Sequence, residues 1–336
     1  MKEKHILSIV TNLSLYGGAE KVLVDVHNSL KTKYNSKILG FQKFEHLHPK
    51  FQIERSEYVQ FRNPLILRNA ILLVHARNIL PFAVVLKKLF FLNTEIVYVA
   101  HNVYKNLRRA TLFPHAIVAV SKKVTENLIN YFGVQQDQIQ LIYNGVADQQ
   151  GTMPVARDYN PDAIKILYPA RVNSVKRQLH IVRHLQGKLN PKIEIHFAGT
   201  GEDIEELTRI CSQTTNFVAL GFIADMSALL PDYDYVMLYS SQEGLPLSLL
   251  EGTMHRKPLL VNDVGGNLEI GVPGFNCIEL SSNAAHLADQ LNSLTAISQE
   301  AYLTYARNSR ALYEEKFTFE NMMRNYHNLI GNLVRL

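Results

Sequence analysis

Short apolar runs alternate with amphipathic stretches along the chain. Before residue 150, runs typical of buried strands occupy residues 5–11, 37–41, 71–75, 95–101, 116–120 and 138–146. Beyond it, similar runs occupy residues 164–170, 193–199, 216–222, 234–240 and 258–261. Apolar residues at helical spacing separate several of these runs, as with Val22, Val26 and Leu30. Strands that alternate with helices predict parallel, doubly wound sheets.

The length of the chain predicts two domains. At 336 residues it exceeds the size at which a single core stops growing, and nearly half of its residues are apolar. A stretch rich in Asp, Gln, Gly and Pro at residues 147–161 is typical of an interdomain linker. We therefore place one domain at residues 1–150, the linker at 151–163 and a second domain at 164–316.

The apolar runs and the cysteines bear on the cellular compartment. No uninterrupted apolar run reaches the roughly 18 residues of a membrane span. The N-terminal MKEKHILSIV leads straight into a strand without a cleavable signal. The two cysteines, Cys211 and Cys277, lie in unrelated segments without a metal-binding or redox spacing. These features predict a cytoplasmic protein with reduced thiols.

Charge is divided unevenly along the chain. Residues 1–160 contain 20 Lys and Arg against 11 Asp and Glu, a net charge of +9, whereas the remainder contains 15 against 19, a net charge of −4. Residues 62–109 alone carry eight basic residues and one acid, interleaved with apolar runs. That composition suits a helix on anionic lipid, or a solvated face over an apolar core. Lys105, Arg108 and Arg109 equally suit an acceptor phosphate.

The stretch from Tyr239 to Glu269, YSSQEGLPLSLLEGTMHRKPLLVNDVGGNLE, combines two carboxylates with two glycine turns. If a helix begins near Pro246, Glu251 lies on its first turns and Glu243 in the loop before it. That start leaves free backbone donors beside Gly244 and Leu245, and such donors attract anions. Carboxylates suit hydroxyl donors, so the combination favours a ligand that carries phosphate and hydroxyls together, as a nucleotide sugar does.

Other candidate residues follow predicted strands. Arg171 and Lys176, five positions apart at a strand-to-helix junction, can converge on one diphosphate, although exposed basic residues in a loop are the plainer alternative. His101 ends a strand at the sheet edge where ligands of such folds bind, with a buried structural histidine as its alternative. The turn before Glu202 lacks the third Gly of a dinucleotide fingerprint, and Glu202 itself would repel a pyrophosphate.

The string from Glu243 to Glu269 resembles the signature of the retaining, nucleotide-sugar-dependent glycosyltransferases of family 4. In that family a Glu, seven residues and a second Glu are followed by a strand and a GG-x-x-E turn. This chain has Glu243, Glu251 and then Gly265-Gly266-Asn267-Leu268-Glu269. The loop Gly17-Gly18-Ala19-Glu20 also has the form that the family's first glycine loop takes.

The resemblance implies the GT-B fold, in which two facing, doubly wound (Rossmann-like) parallel-sheet domains enclose a cleft. Residues 1–150 would then bind the acceptor, residues 164–316 would bind the nucleotide sugar, and a terminal helix at 317–336 would return to the N-terminal domain. The implied reaction moves a hexose or N-acetylhexosamine from a nucleoside-diphosphate sugar to an acceptor hydroxyl, with retention. We expect no cofactor and no metal ion.

The resemblance also implies roles for single residues. Arg171 and Lys176 match the cations that neutralise the donor diphosphate, Glu243 the acid that holds donor-sugar hydroxyls, and His101 the histidine near the reacting carbon. Glu251 would hold the ribose. The residues expected to bind the donor are Gly17, Gly18, Gly221, Phe222, Gly244, Leu245, Pro246, Leu247 and Glu251.

Two other functional classes stay open. A sugar-nucleotide epimerase of the same fold would convert the donor without an acceptor, and a non-catalytic protein would use the basic front face to bind an anionic partner. Nucleic-acid binding is not predicted, because the basic stretch carries no recognisable module. For a glycosyltransferase, the basic, apolar stretch and the cytoplasmic setting favour a lipid-linked glycan as acceptor in surface polysaccharide assembly. They also favour peripheral contact with the anionic inner face of the cell membrane.

Overall fold

A computed structural model describes residues 4–149 and 158–335 of the chain. The described residues divide into two compact units. The first unit contains the chain up to Asn144 together with Glu320 onward, and the second unit contains Gly145–Phe319. Most of the predicted linker, residues 151–157, lies outside the described residues.

The first unit contains a seven-stranded sheet in which every pair of neighbours is parallel. Its strand order is β3-β2-β1-β4-β5-β6-β7. Strand β4 is buried along its whole length and reads as an unbroken apolar run, because helices or loops cover both faces of such a sheet. The strands are β1 (His5–Ile9), β2 (Ser36–Gly40), β3 (Tyr58–Gln60), β4 (Ala70–Val74), β5 (Glu95–Ala100), β6 (Ala116–Ala119) and β7 (Ile139–Leu141).

The second unit contains a six-stranded sheet, again with parallel neighbours throughout. Its strand order is β10-β9-β8-β11-β12-β13. The predicted fold class, two Rossmann-like parallel sheets with helices between the strands, is confirmed. The strands are β8 (Ile164–Pro169), β9 (Ile193–Ala198), β10 (Phe217–Gly221), β11 (Tyr235–Leu238), β12 (Leu259–Val261) and β13 (Cys277–Glu279).

Helices follow most strands and connect them by crossovers. The one after β6 is capped by Ser121, whose Oγ accepts from Val124 N at 3.1 Å, and it continues as a π-helical turn, Leu128–Phe132. The α-helices are α1 (Gly18–Leu30), α2 (Leu80–Leu89), α3 (Lys122–Asn127), α4 (Gln178–Leu185), α5 (Ile204–Cys211), α6 (Met226–Leu229), α7 (Leu247–Met254), α8 (Asn267–Ile270), α9 (Leu287–Asn292), α10 (Gln299–Lys316) and α11 (Phe319–Arg335).

The final helix, α11, packs within the first unit. Ser29 Oγ lies 3.0 Å from His327 Nε2, and the ring of Tyr34 stacks on the same histidine with centroids 6.0 Å apart. Tyr326 is 1% exposed, and its hydroxyl has no hydrogen-bond partner among the described residues. Burial raises the pKa of Tyr326 above its ordinary value.

Each sheet has one position where the strand order reverses. In the first unit it lies between β1 and β4, and in the second between β8 and β11. Successive crossovers leave in opposite directions there, so a crevice opens outside the carboxyl ends of the two strands, and ligands of doubly wound folds bind in it. The loops after these strands are therefore the first place to look for function.

The unpaired hydroxyl of Tyr326 generates a stability prediction. A buried hydroxyl without a partner is unfavourable, so Tyr326→Phe should raise the free energy of unfolding by about 1 kcal/mol. Tyr326→Ala leaves a cavity and should lower the free energy of unfolding by about 3–5 kcal/mol. Urea unfolding followed by circular dichroism measures both, with the exposed Arg324→Ala as a control expected to change little. A loss of stability in Tyr326→Phe would contradict the unpaired hydroxyl.

Candidate functional site

An ion pair lies beside the strand-order reversal of the second unit. Lys176 is in the loop after β8 and Glu243 in the loop after β11, the two strands that flank the reversal. Lys176 Nζ donates to Glu243 Oε1 at 2.5 Å. The Glu243 side chain is only 7% exposed and that of Lys176 is 23% exposed. A charged carboxylate is thus held at the edge of the sheet where a ligand is expected.

Tyr168 ties the lysine loop to the end of β11. The buried hydroxyl of Tyr168 donates to Lys176 O at 2.6 Å and accepts from Tyr239 N at 2.8 Å. One residue earlier in the same loop, Val175 O accepts from Ser241 N at 2.8 Å. These bonds join the loops that carry Lys176 and Glu243, so the ion pair is positioned by backbone as well as by charge.

The double-glycine turn after β12 supports Glu243 from the other side. Gly265 has φ +55°, and a Cβ added there would lie 2.3 Å from the carbonyl oxygen of Glu243. Gly266 N donates to Gly244 O at 2.7 Å. Only glycine allows this backbone to adopt a left-handed conformation and approach so closely. The Gly-Gly signature therefore has a local cause, since it positions the segment that bears Glu243.

Helix α7 begins where the sequence predicts, since Pro246 is the residue immediately before its first turn. Gly244, Leu245 and Pro246 are buried in the loop that enters the helix, and Leu247 is its first residue. The first backbone N–H groups of a helix have no partner in the preceding turn, so this end favours an anion. Glu251 is half-buried on the second turn.

Arg171 lies at the same sheet edge as Lys176 but pairs with a different acid. Its Nη2 donates to Glu202 Oε1 at 2.7 Å, and the two side chains are 49% and 60% exposed. The structure therefore holds the two predicted diphosphate cations on separate carboxylates. An exposed pair of this kind is worth about 0–1 kcal/mol, so the interaction is no large obstacle to an anionic ligand.

Gly221 and Phe222 lie at the end of β10, an edge strand of the second sheet. Gly221 has φ +70°, and apart from Gly221 itself and its two chain neighbours no heavy atom of the described residues lies within 4 Å of the position that a Cβ would take. The side chain of Phe222 is 53% exposed. An open backbone beside an exposed ring suits a flat ligand group.

In the first unit, the Gly17-Gly18 loop leads into α1 from the strand beside the reversal. Gly17 precedes the helix in an extended conformation, and Gly18 is its first residue. The Glu20 carboxylate lies close over Gly17, because a Cβ on Gly17 would be 2.5 Å from Glu20 Oε2. An acid thus lies over the helix start where Gly17 and Gly18 were expected to bind the donor.

His101 pairs with a second histidine that the sequence analysis did not single out. His75 follows β4 and His101 follows β5, and His75 Nδ1 lies 2.9 Å from His101 Nε2. The rings stack with centroids 5.1 Å apart. Burial lowers the pKa of His101 to about 4 and that of His75 well below its ordinary value, with His101 as the smaller cause. Both rings are therefore neutral near pH 7, one donating to the other.

Among residues 4–149 and 158–335, no group of three or more His, Cys, Asp or Glu side chains is arranged to hold a metal ion. Across the same ranges, no helix has the length and apolar character needed to cross a membrane.

The protein has two doubly wound α/β sheets with polar side chains in the loops beside each strand-order reversal. It therefore falls in the class of α/β proteins whose ligands bind at such a reversal. Two family models resolve the class further: glycosyl transferases group 1 matches residues 152–311, and glycosyltransferase family 4 matches residues 16–150. The chain belongs to glycosyltransferase family 4, whose fold is GT-B. The predicted family is confirmed.

Curated relatives match part of the chain. The O-antigen biosynthesis glycosyltransferase WbnH of Escherichia coli is 29% identical over 160 residues, which is 48% of this chain and 45% of WbnH. An uncharacterized glycosyltransferase of Methanocaldococcus jannaschii, MJ1607, is 26% identical over 172 residues, 46% of this chain and 44% of that protein. The chain thus spans less than half the length of the curated relatives it matches.

Solved structures match over almost the whole chain. Anabaena HepE in complex with UDP and glucose superposes with a TM-score of 0.82 at 17% identity, covering 98% of this chain and 99% of that one. The pneumococcal O-GlcNAc transferase GtfA in complex with UDP and GlcNAc gives 0.76 at 11% identity, covering 99% and 100%. At these identities the likeness establishes the fold alone.

The bridging hydroxyl of Tyr168 generates a prediction. Tyr168→Phe removes one bond to each of two backbone groups in a buried setting, so it should lower the free energy of unfolding by about 2 kcal/mol. Tyr326→Phe makes the same chemical change at an unpaired hydroxyl and should act in the opposite direction. Urea unfolding of the two variants compares them directly, and an equal effect would show that Tyr168 does not bridge the loops.

The neutral histidine pair generates a prediction about pH. An unfolded His has a pKa of about 6.5, so below that pH the unfolded chain binds protons that folded His101 excludes until about pH 4. Stability should therefore be complete above pH 6.5 and fall as the pH is lowered. Between pH 7.5 and pH 5, the free energy of unfolding of His101→Gln should fall by about 2 kcal/mol less than that of the wild type, as measured by urea unfolding. Equal losses in the two proteins would contradict the lowered pKa.

Proposed function

We propose that this protein transfers a hexose or N-acetylhexosamine from a nucleoside-diphosphate sugar to an acceptor hydroxyl, with retention at the anomeric carbon. The observation that carries the proposal is the ion pair between Lys176 and the buried Glu243 beside the strand-order reversal, in a chain of this family. A lysine suits a phosphate, and a carboxylate suits hydroxyls. Only a ligand with both groups uses the two side chains together.

The chemical difficulty of the reaction is the departure of a diphosphate while positive charge develops on the sugar ring. In the proposal, Lys176 and Arg171 stabilise the leaving phosphates together with the amides at the start of α7. Such groups act most strongly when they are held in place before the reaction, because they need no reorganisation at the transition state. Tyr168 and the Gly265-Gly266 turn support this by holding the loops that carry Lys176 and Glu243.

Glu243 has a second role in the proposal. Its Oε1 accepts from Lys176, and an ionised carboxylate has further acceptor sites on its other oxygen, which can take a donor-sugar hydroxyl. Glu251, on the second turn of α7, would accept hydrogen bonds from the ribose hydroxyls. The donor sugar and the leaving phosphate are thereby held by neighbouring groups, which orients the bond that breaks.

His101 would contact the sugar near the reacting carbon. The lowered pKa values of His75 and the partly exposed His101 keep both rings neutral, so the pair can hydrogen-bond the sugar without adding a positive charge beside the developing cation. We propose front-face attack: the acceptor oxygen bonds to the anomeric carbon as the carbon–phosphate-oxygen bond breaks, and a leaving-phosphate oxygen takes the acceptor's proton. Trapping a glycosylated side chain would overturn this route.

The acceptor we propose is a lipid-linked glycan in surface polysaccharide assembly. The name of WbnH places that relative in O-antigen biosynthesis, and the basic, apolar stretch at residues 62–109 suits such an acceptor. The HepE and GtfA structures are complexes with UDP and glucose or GlcNAc, so uridine-diphosphate sugars are the first donors to test.

Donor binding is tested by thermal shift. A ligand that binds only the folded state raises the melting temperature, so UDP, GDP and their sugars should rank by affinity. Candidate donors are then incubated with and without a glycan acceptor. Product that forms only with acceptor supports transfer, whereas an isomerised donor without acceptor would instead establish an epimerase.

Two substitutions test the proposed site. Glu243→Ala and Arg171→Ala should each lower turnover by more than tenfold, because each removes a group that holds the donor sugar or its leaving phosphate. Arg183 and Glu206 form a similar exposed pair on α4 and α5, with Arg183 Nη2 3.3 Å from Glu206 Oε1, so Arg183→Ala is a matched control expected to keep its activity. Melting curves check that all variants are folded. Wild-type turnover in both site variants would refute the site.

A further inference from the structure

Helix α2 of the first unit exposes an apolar stripe. Phe82, Val85 and Leu89 are 43%, 51% and 66% exposed. They are spaced three and four residues apart, so they lie on one side of the helix. The other side is buried and is formed by Leu80, Ala83 and Leu86. The helix is thus apolar on two sides, and only one of them is covered by the fold.

The chain just after α2 extends this stripe. Phe90 is 44% exposed and Phe91 is 94% exposed, the highest exposure of any large apolar residue in the described part of the chain. Phe91 has φ +48°, in the left-handed region that helix ends usually assign to Gly or Asn. The fold therefore holds a bulky apolar ring in an unfavourable backbone conformation and in water. We call Phe82, Val85, Leu89, Phe90 and Phe91 the α2 face.

Two more aromatic rings continue the α2 face at its N-terminal end. Phe41 follows β2 and Phe61 follows β3. Their ring centroids lie 6.2 and 5.6 Å from that of Phe82, and 5.7 Å from each other. Phe41 is itself 40% exposed. Contiguous exposed apolar surface of this kind marks an interaction site in proteins that otherwise expose such residues singly.

The charges on the segment that carries the α2 face, residues 62–109, are almost all positive. Lys87 and Lys88 lie in the last turn of α2, and neither forms a salt bridge within residues 4–149 and 158–335. Arg62 and Arg68 are exposed on the segments between β3 and β4. Glu95 is the single acid in residues 62–109. Apolar side chains flanked by unpaired cations complement a surface that is anionic outside and apolar beneath, as a bilayer with acidic lipids is.

We propose that the α2 face docks on an anionic lipid bilayer, with its apolar side chains at the boundary of headgroups and acyl chains and with Lys87 and Lys88 on the lipid phosphates. The proposal assigns membrane contact to a defined surface of the first unit. It rests on exposure, backbone conformation and charge, so it does not depend on the proposed transfer reaction. It does give that reaction a means of meeting an acceptor that is confined to a membrane.

Vesicle co-sedimentation of the full chain tests the proposal. The wild type should bind vesicles of phosphatidylglycerol and phosphatidylcholine, and bind pure phosphatidylcholine at least tenfold more weakly. The double variant Leu89→Ser, Phe91→Asn should lose at least tenfold in binding to the anionic vesicles. Lys87→Gln with Lys88→Gln should weaken binding and reduce its dependence on salt. Leu303→Ser, at a residue of α10 that is 43% exposed, is the matched control and should bind as the wild type does.

A second measurement separates a docking role from a role in folding. Asn tolerates the left-handed region better than Phe does, so Phe91→Asn should keep or raise the melting temperature while it lowers vesicle binding. A lowered melting temperature with unchanged vesicle binding would overturn the proposal. The proposal would also be overturned if sedimentation velocity without lipid showed a dimer that the same variants abolish. The α2 face would then bind a second copy of the chain. Absence of sugar transfer leaves the vesicle result unaffected, so the two proposals fail separately.

Discussion

The candidate site depends on keeping one carboxylate charged in a place where water hardly reaches it. The Glu243 side chain is 7% exposed, and removing a charge from water costs several kcal/mol unless a partner and hydrogen bonds compensate. Lys176 supplies the partner at 2.5 Å, and it can do so only because Tyr168 and Ser241 hold its loop against the end of β11. The Gly265-Gly266 turn completes the support by packing against the backbone of Glu243 itself. The motif is therefore a set of mutually dependent contacts.

The two units share one architecture but differ in the side chains beside the strand-order reversal, which are charged in one unit and neutral in the other. Each sheet reverses its strand order once, and each carries polar side chains in the loops beside that reversal. In the second unit these form a charged pair, whereas in the first unit the nearby pair is two histidines that burial keeps neutral. Charged groups suit the phosphate end of a nucleotide sugar, and neutral ones suit a ring on which positive charge develops. In the proposed reaction the second unit accordingly binds the phosphates, and the histidines of the first unit contact the sugar ring.

Local patterns predicted much of the architecture. Apolar runs of five to seven residues marked most strands, and α1 contains Val22, Val26 and Leu30, whose helical spacing indicated a helix. The short strands β3 (YVQ) and β13 (CIE) were missed, because polar residues interrupt the sequence there and leave no apolar run. At the site, the glutamates and the helix start after Pro246 were found from spacing. His75 was missed although it ends its strand as His101 does, and that repetition was the available signal. Tyr168 gave no signal, because a tyrosine in an apolar strand reads as core.

The sequence by itself determined the fold class, the family and the residue types available at the strand ends, because periodicity and short motifs are local properties that survive without coordinates. Only the tertiary structure decided which of those residues meet. It placed Lys176 on Glu243 and Arg171 on Glu202, although both cations had been assigned to one diphosphate. It joined His75 to His101, and it left the ring of Phe91 outside the fold. Such pairings depend on strand order and on loop geometry, which bring together residues that lie far apart in the chain.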